Sequence, residues 1–230
     1  MQLFYLPDAG KSDTLSREES YHCIKVLRHK KGDKVSITDG IGNLYSCKII
    51  NDDQSSCKLK ILSKEKTISK NHNIHLVISP TKSLEKMEWM VEKLSEIGVN
   101  KISFIYTENS ERKKIRINRL EKKSISAMKQ SNSFTKTTIN DVISFDNFIR
   151  NLNDKSEKLI AHMGNNPLLK KIVRKNNNYT ILVGPEGDFS KKEVSKAKKK
   201  GFKGISLGKN ILRTETAGLL SCYSLIELLN

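Results

Sequence analysis

A chain of 230 residues with 42 Lys+Arg against 25 Asp+Glu, a formal charge of +17, has room for one large domain or two modest ones. That charge calls for an anionic partner, for which RNA is the usual candidate; no apolar run or basic amphipathic anchor points to a membrane. The four cysteines (Cys23, Cys47, Cys57 and Cys222) form no CxxC pair and no zinc-spaced cluster with histidine, which argues against a metal site and against disulfides.

The amino-terminal MQLFYLPDAGKSD lacks a basic–apolar–cleavage pattern, so a cytoplasmic protein is expected. Residues 1–65 are expected to form a small mixed β domain. Ser16-Arg17-Glu18-Glu19 has the S-x-x-E pattern of a capping box and predicts a short helix through Leu27. Strands are expected at Lys34–Thr38, Leu44–Ile50 and Ser56–Leu62, with a turn at Asp39-Gly40-Ile41-Gly42. Short antiparallel strands of this kind usually close into a barrel. Ser63–Asn73 is polar and charged, and residues 66–73 make the expected linker.

From residue 74 to 230 the pattern alternates. Strands are expected at Ile74–Ile78, Ile102–Tyr106, Leu159–His162, Thr180–Val183 and Lys203–Leu207. Helices are expected at Ser83–Ile97, Arg116–Gln130, Phe145–Leu152, from the second S-x-x-E box at Ser190 to Gly201, and at Thr216–Leu229. Alternating strands and helices predict an α/β domain with a parallel sheet covered by helices.

Two stretches carry the chemistry. Ile181–Gly187 reads ILVGPEG and Leu207–Gly218 reads LGKNILRTETAG. Each is a strand end entering a glycine-containing loop and then a helix, with backbone donors and acceptors left open for a ligand beyond the carboxyl ends of parallel strands. In Arg213-Thr214-Glu215-Thr216, threonine and glutamate suit a helix start, whereas a cation gains nothing there, so Arg213 stands out. Only eight of the 42 basic residues are arginine, and three of them, Arg112, Arg116 and Arg119, fall in one segment. Arg28 is placed to touch phosphate, while His22 reads as a hydrogen-bonded, partly buried histidine. Neither GxGxxG nor GxxxxGK[ST] is present, which disfavours dinucleotide and P-loop enzymes.

GPEGDFS followed by LGKNILRTETAG resembles the 16S ribosomal RNA uridine-N3 methyltransferases of the SPOUT class. HCIKVLR (His22–Arg28), Gly32–Tyr45, KLSEIGVNKI (Lys93–Ile102), Ser110–Arg112 and Lys129–Asn132 extend the likeness along the chain. The resemblance implies a PUA-like RNA-binding barrel, a methyltransferase domain with a C-terminal trefoil knot, and a homodimer joined through the knot helices, with Leu219, Leu220, Tyr223, Ile226 and Leu229 compatible with that interface. It implies S-adenosylmethionine as cofactor, without a metal. Val183, Gly184, Pro185, Glu186 and Gly187 would hold it on one side, with Leu207, Gly208, Ile211, Leu212, Thr216 and Ala217 on the other. Arg28, Arg112, Arg116 and Arg119 would contact RNA of the small ribosomal subunit. Arg213 would stabilise the anion developing on the uracil and Glu215 would take its N3 proton.

The chain departs from the family pattern at Asp188, where glycine is frequent, and at Ser133, where arginine often follows the Gln-Ser-Asn segment. Asp188 could bias the local charge toward a cationic sulfonium. Two rival readings stay open: a non-catalytic RNA-binding or ribosome-assembly protein with the same fold, and a knotted methyltransferase acting on transfer RNA. The charge and the barrel fit the first rival equally well; the two loop motifs do not.

Overall fold

The computed structural model describes residues 2–67, 72–175 and 177–230. The chain divides into two compact units, one formed by the described part of Met1–Ser69 with Ile125–Lys136, the other by the described part of Lys70–Ser124 with Thr137–Asn230. The linker expected at 66–73 lies partly outside the described residues.

In the first unit, strands β1 (Leu3–Tyr5), β2 (Lys34–Thr38), β3 (Asn43–Asn51) and β4 (Lys58–Lys66) form a sheet in that order. β1 runs parallel to β2, and the other pairs are antiparallel. Residues 13–15 lie along the far edge of β4, with Leu59 N–H donating to Asp13 O at 2.7 Å and Leu15 N–H to Cys57 O at 2.9 Å. That covers an edge which would otherwise be free to pair with another chain. Inward-facing Val35, Ile37, Tyr45, Cys47, Ile49 and Leu59 pack with Phe4, Leu6 and Leu15.

The Asp39–Gly42 turn is held by Asp39, whose carboxylate accepts from Ile41 N–H at 2.9 Å, Asn43 N–H at 3.2 Å and the Tyr45 hydroxyl at 3.2 Å. Burial pushes this carboxyl up, but the hydrogen bonds from Asn43, Ile41 and Tyr45 outweigh it and hold the group below its ordinary range. Backbone bonds from Gly42 N–H to Phe134 O at 2.8 Å and from Lys136 N–H to Gly40 O at 2.7 Å explain why residues 125–136, far along the chain, belong to this unit.

The first helix is shorter than expected. α1 (Arg17–Tyr21) passes into a π-helical turn at His22–Val26. Ser16 caps it by accepting from Glu19 N–H, but Glu19 does not reach back to complete the box; its carboxylate takes Tyr5 N–H and Lys129 instead. Arg28 therefore stands beyond the helix, exposed and in a left-handed conformation at φ 61°.

The second unit is a six-stranded, wholly parallel sheet. Its strands are β5 (Ile74–Ile78), β6 (Lys101–Tyr106), β7 (Thr138–Ser144), β8 (Glu157–Ala161), β9 (Tyr179–Val183) and β10 (Lys203–Ile205), in the order β10-β8-β9-β5-β6-β7. Helices α2 (Leu84–Glu96), α3 (Ile117–Gln130), α4 (Phe145–Asn151), α5 (Lys191–Lys199) and α6 (Thr214–Leu229) complete the chain, the end of α3 falling in the first unit.

The alternation along β5 sorts the core into two layers. Ile74, Leu76 and Ile78 face Met87, Met90, Leu94, Cys222 and Leu225 of α2 and α6. Val77 faces the other way, among Phe145, Phe148, Phe189 and Ala197, on the side of α4 and α5. Caps set the helix starts: Ser83 and Ser144 accept from the third residue on, and Ser190 and Glu193 form a full reciprocal box. All four cysteines are buried free thiols, burial pushing Cys47 up to about 11 and Cys222 to about 12.

His75 adds a testable charge effect. Ser103 Oγ accepts from Asn140 Nδ2 at 2.8 Å and lies 2.7 Å from His75 Nε2. Burial, with a smaller push from the Lys101 charge, lowers the imidazole pKa from 6.5 to about 4. The unfolded chain therefore binds a proton that the folded chain refuses. This contribution is fully present above the unfolded value and is lost as the pH falls from there through the folded one. Between pH 7 and pH 5 the loss should be about 2 kcal/mol. Urea unfolding of the parent and of His75→Gln at both pH values measures it, and equal losses for the two proteins would refute it.

Candidate cofactor site

Strands β8, β9 and β10 end side by side, and their loops surround a cavity of about 360 Å³. Ala161, His162 and Met163 form the wall after β8; Val183 to Glu186, with Asp188, form the wall after β9; Ile205 to Gly208 and Asn210 to Thr214 form the third, with Ala217 of α6 at its base.

Each wall has a local reason for its shape. After β9 the chain turns tightly, Asp188 N–H donating to Pro185 O at 2.9 Å with Asp188 in the left-handed region at φ 58°. After β10, Gly208 sits at φ 141°, a conformation that a residue with a Cβ rarely adopts. The three walls are hydrogen-bonded in a row. Asn109, after β6, donates its amide to Gly187 O and Asp188 O, both at 3.0 Å. Asp188 Oδ2 accepts Met163 N–H at 2.8 Å. Ser206 N–H donates to Pro167 O at 2.9 Å, linking the segment after β8 to the loop after β10.

Of the residues expected around a cofactor, Val183, Gly184, Pro185, Glu186, Leu207, Gly208, Ile211, Leu212 and Ala217 line this cavity. Gly187 and Thr216 do not. Gly187 is turned toward Asn109, and Thr216 lies half-buried in the first turn of α6.

Arg213 also lines the cavity. It is the residue that starts α6, makes no side-chain cap, and carries an exposed guanidinium. The helix thus begins two residues earlier than expected, without a threonine cap. Glu215 is buried and points elsewhere, 3.4 Å from Lys86 Nζ of α2. Residues two apart on a helix do not share a face, so Arg213 and Glu215 do not converge on one point.

The basic residues separate as well. Arg112, with Lys82, Glu111, Lys113 and Lys114, lines a second open hollow of about 580 Å³. Ser110, just before it, is buried, its hydroxyl accepting Thr107 N–H at 2.8 Å and lying 3.1 Å from the Ser79 hydroxyl. Arg116 is exposed ahead of α3. Arg119 is committed to Glu88, a buried carboxylate on α2 that it grips through Nε and, at 3.2 Å, through a terminal nitrogen. The wall after β8 carries no motif and escaped the sequence reading; its one signal was its position at a strand end in a parallel sheet. Among the described residues no helix is long and apolar enough to cross a membrane, and no group of three or more His, Cys, Asp or Glu is arranged to hold a metal ion.

A parallel sheet with a cavity built from three consecutive strand-end loops is matched, over residues 69–226, by the family described as an RNA methyltransferase domain, and residues 15–62 match an RNA methyltransferase PUA domain. The chain is 32% identical over 220 residues to the ribosomal RNA small subunit methyltransferase E of Buchnera aphidicola, covering 92% of this chain and 86% of that one. The crystal structure of a probable rRNA-methyltransferase from Porphyromonas gingivalis superimposes with a TM-score of 0.94 at 39% identity, over 99% of this chain and 98% of that one. The ribosomal RNA small subunit methyltransferase E of Neisseria gonorrhoeae, solved bound to S-adenosyl methionine, superimposes with a TM-score of 0.88 at 26% identity, over 100% and 98%. The chain belongs to the ribosomal RNA small subunit methyltransferase E family.

Proposed function

We propose that this chain transfers the methyl group of S-adenosylmethionine to N3 of one uridine in the 16S RNA of the small ribosomal subunit. The observation that carries the proposal is the make-up of the cavity beyond β8, β9 and β10. Leu207, Ile211, Leu212 and Ala217 offer an apolar surface for a flat base. Ile211, 80% exposed at the rim, extends that apolar surface. Glu186 and Asp188 supply negative charge for a cationic ligand, and Arg213 supplies the one positive charge among the lining side chains that is fixed at all working pH values.

When bound, the cofactor supplies a methyl group already activated by its sulfonium. The chain's own part is to position the uracil and ease loss of its N3 proton. Arg213 faces the carbonyl oxygens flanking N3, where negative charge grows as that proton leaves. Glu215, expected to be the proton acceptor, serves instead to anchor the first turn of α6 through Lys86, and the proton passes to water. RNA is held by charge and shape, through Arg28 on the first unit and Arg112 and Arg116 on the second; Arg119 is chiefly structural. The proposal includes the PUA-like barrel for the first unit, the trefoil knot for the strand-end loops, and a cytoplasmic setting. It also includes a homodimer through α6 and α2, on which Leu220, Tyr223 and Trp89 remain exposed while Ile226 and Leu229 are spent in the core.

Calorimetric titration with S-adenosylmethionine, followed by transfer of labelled methyl to small-subunit RNA with mapping of the modified atom, tests this. The parent should bind and transfer to a uridine N3. Gly208→Val should stay folded, since its Cβ meets nothing within 4 Å, yet lose binding because φ 141° no longer suits the residue. Binding without transfer to any RNA would favour the non-catalytic rival, and transfer to transfer RNA alone would favour the other.

A further inference from the structure

We propose that Asp188 is a positioning residue that clamps two walls of the cofactor cavity together. The proposal rests on the cofactor reading above and deepens it. Among the described residues, Asp188 is one of three other than glycine held at positive φ, with Arg28 and Asn132, and the only one of them at the cavity. A left-handed position is reached most easily by glycine, and next by asparagine and aspartate. A turn alone would be served by glycine, so a carboxylate here needs a further reason.

Its hydrogen bonds supply one. Oδ1 accepts the neighbouring Phe189 N–H at 2.7 Å, a local bond that closes the turn. Oδ2 accepts Met163 N–H at 2.8 Å, from the loop after β8. Met163 is 59% exposed, and beyond the strand pairing that ends at Ala161 and Val183 this charge-assisted bond ties the β8 loop to the β9 loop. On its other side the same turn is fixed by Asn109, which donates to Asp188 O. Asp188 thus stands between a fixed loop and a loosely packed one and transmits the position of the first to the second. A cavity whose wall is preset loses less on binding than one whose wall must be ordered by the ligand.

Three substitutions separate the clamp from the turn. Asp188→Gly keeps the turn and removes the clamp; Asp188→Asn keeps the left-handed conformation and one carbonyl oxygen able to accept from Met163; Asp188→Ala loses both. Two readouts apply to each: cofactor affinity by calorimetry, and hydrogen exchange of the amides around Met163 in the protein without cofactor.

If the clamp operates, Asp188→Gly should weaken S-adenosylmethionine binding by about tenfold to a hundredfold, the scale of one charge-assisted hydrogen bond. It should also speed exchange at Met163 while its melting temperature stays at or above that of Asp188→Ala. Asp188→Asn should recover affinity to within about threefold of the parent and restore protection. An Asp188→Gly protein with parental affinity and parental exchange at Met163 would overturn the clamp and leave Asp188 a turn residue. If the parent itself bound no cofactor, the reading of the cavity would fall, and the proposal with it.

Discussion

Replacing Arg213 with lysine should lower the single-turnover rate of methyl transfer by roughly tenfold to a thousandfold, the scale on which removal of one preorganised donor acts. Cofactor and RNA affinities should stay close to the parent's. The expectation follows from where Arg213 stands. It occupies the position that starts α6, where the helix field disfavours a cation, and it makes no cap bond. Arg213 is exposed at the cavity, so packing does not explain it, and among the described residues no ion pair does.

Lysine retains the charge but loses the planar fork that addresses two acceptors, such as the carbonyl oxygens on either side of uracil N3. Raising the pH should partly restore the rate, because more of the uridine is then already deprotonated. Glu215→Gln offers the contrast. With Glu215 paired to Lys86 rather than lining the cavity, that variant should lose some stability and keep a parental pH profile. A rate unchanged in Arg213→Lys together with weakened RNA affinity would make Arg213 a docking residue only.

The largest effect on stability is expected at Gly218. A Cβ there would stand 2.8 Å from Ile78 Cδ1, 3.2 Å from Met90 Sδ and 3.3 Å from Leu76 Cδ2. All three side chains are fully buried, so none has solvent to move into. Glycine lets α6 lie close on β5 and α2, which brings the first turn of the helix to the strand ends. Gly218→Ala gains about 1 kcal/mol of helix propensity and loses about 1–3 to overpacking, for a small net destabilisation. Gly218→Val adds two more methyl groups and a helix-disfavouring branch, and should cost about 3 kcal/mol or more. Denaturant unfolding of both variants measures this; a valine variant as stable as the parent would mean that the helix sits less closely than described.

What was legible in the sequence was whatever is decided locally. β2 and β5 fall at Lys34–Thr38 and Ile74–Ile78, as the apolar pattern expects, and the Ser190–Glu193 box forms in full. The two glycine loops were found because they break a strand with residues that have few other uses.

What was missed depends on distant partners. β1 is three residues long and exists through its pairing with β2. β7, with Asn140 and Asp141 in its middle, looks polar because it lies at the sheet edge. The box at Ser16 is incomplete because Lys129 and Tyr5 compete for Glu19. Arg119 and Glu215 looked free to act until Glu88 and Lys86 were seen beside them. No local pattern reports a partner thirty or a hundred residues away.

The strand order has a consequence for synthesis. β9 lies between β5 and β8, so Ile74 pairs with Tyr179 and Ile78 with Val183. Once β5 has left the ribosome, the edge that β9 will cover lacks its neighbour, and it waits while about a hundred further residues are made. At usual translation speeds that takes roughly 5–20 s. Through that interval an apolar strand edge is bare, the condition under which nascent chains pair wrongly or recruit chaperones. The pocket, made from the last three strands to emerge, is therefore among the last parts of the chain to take shape.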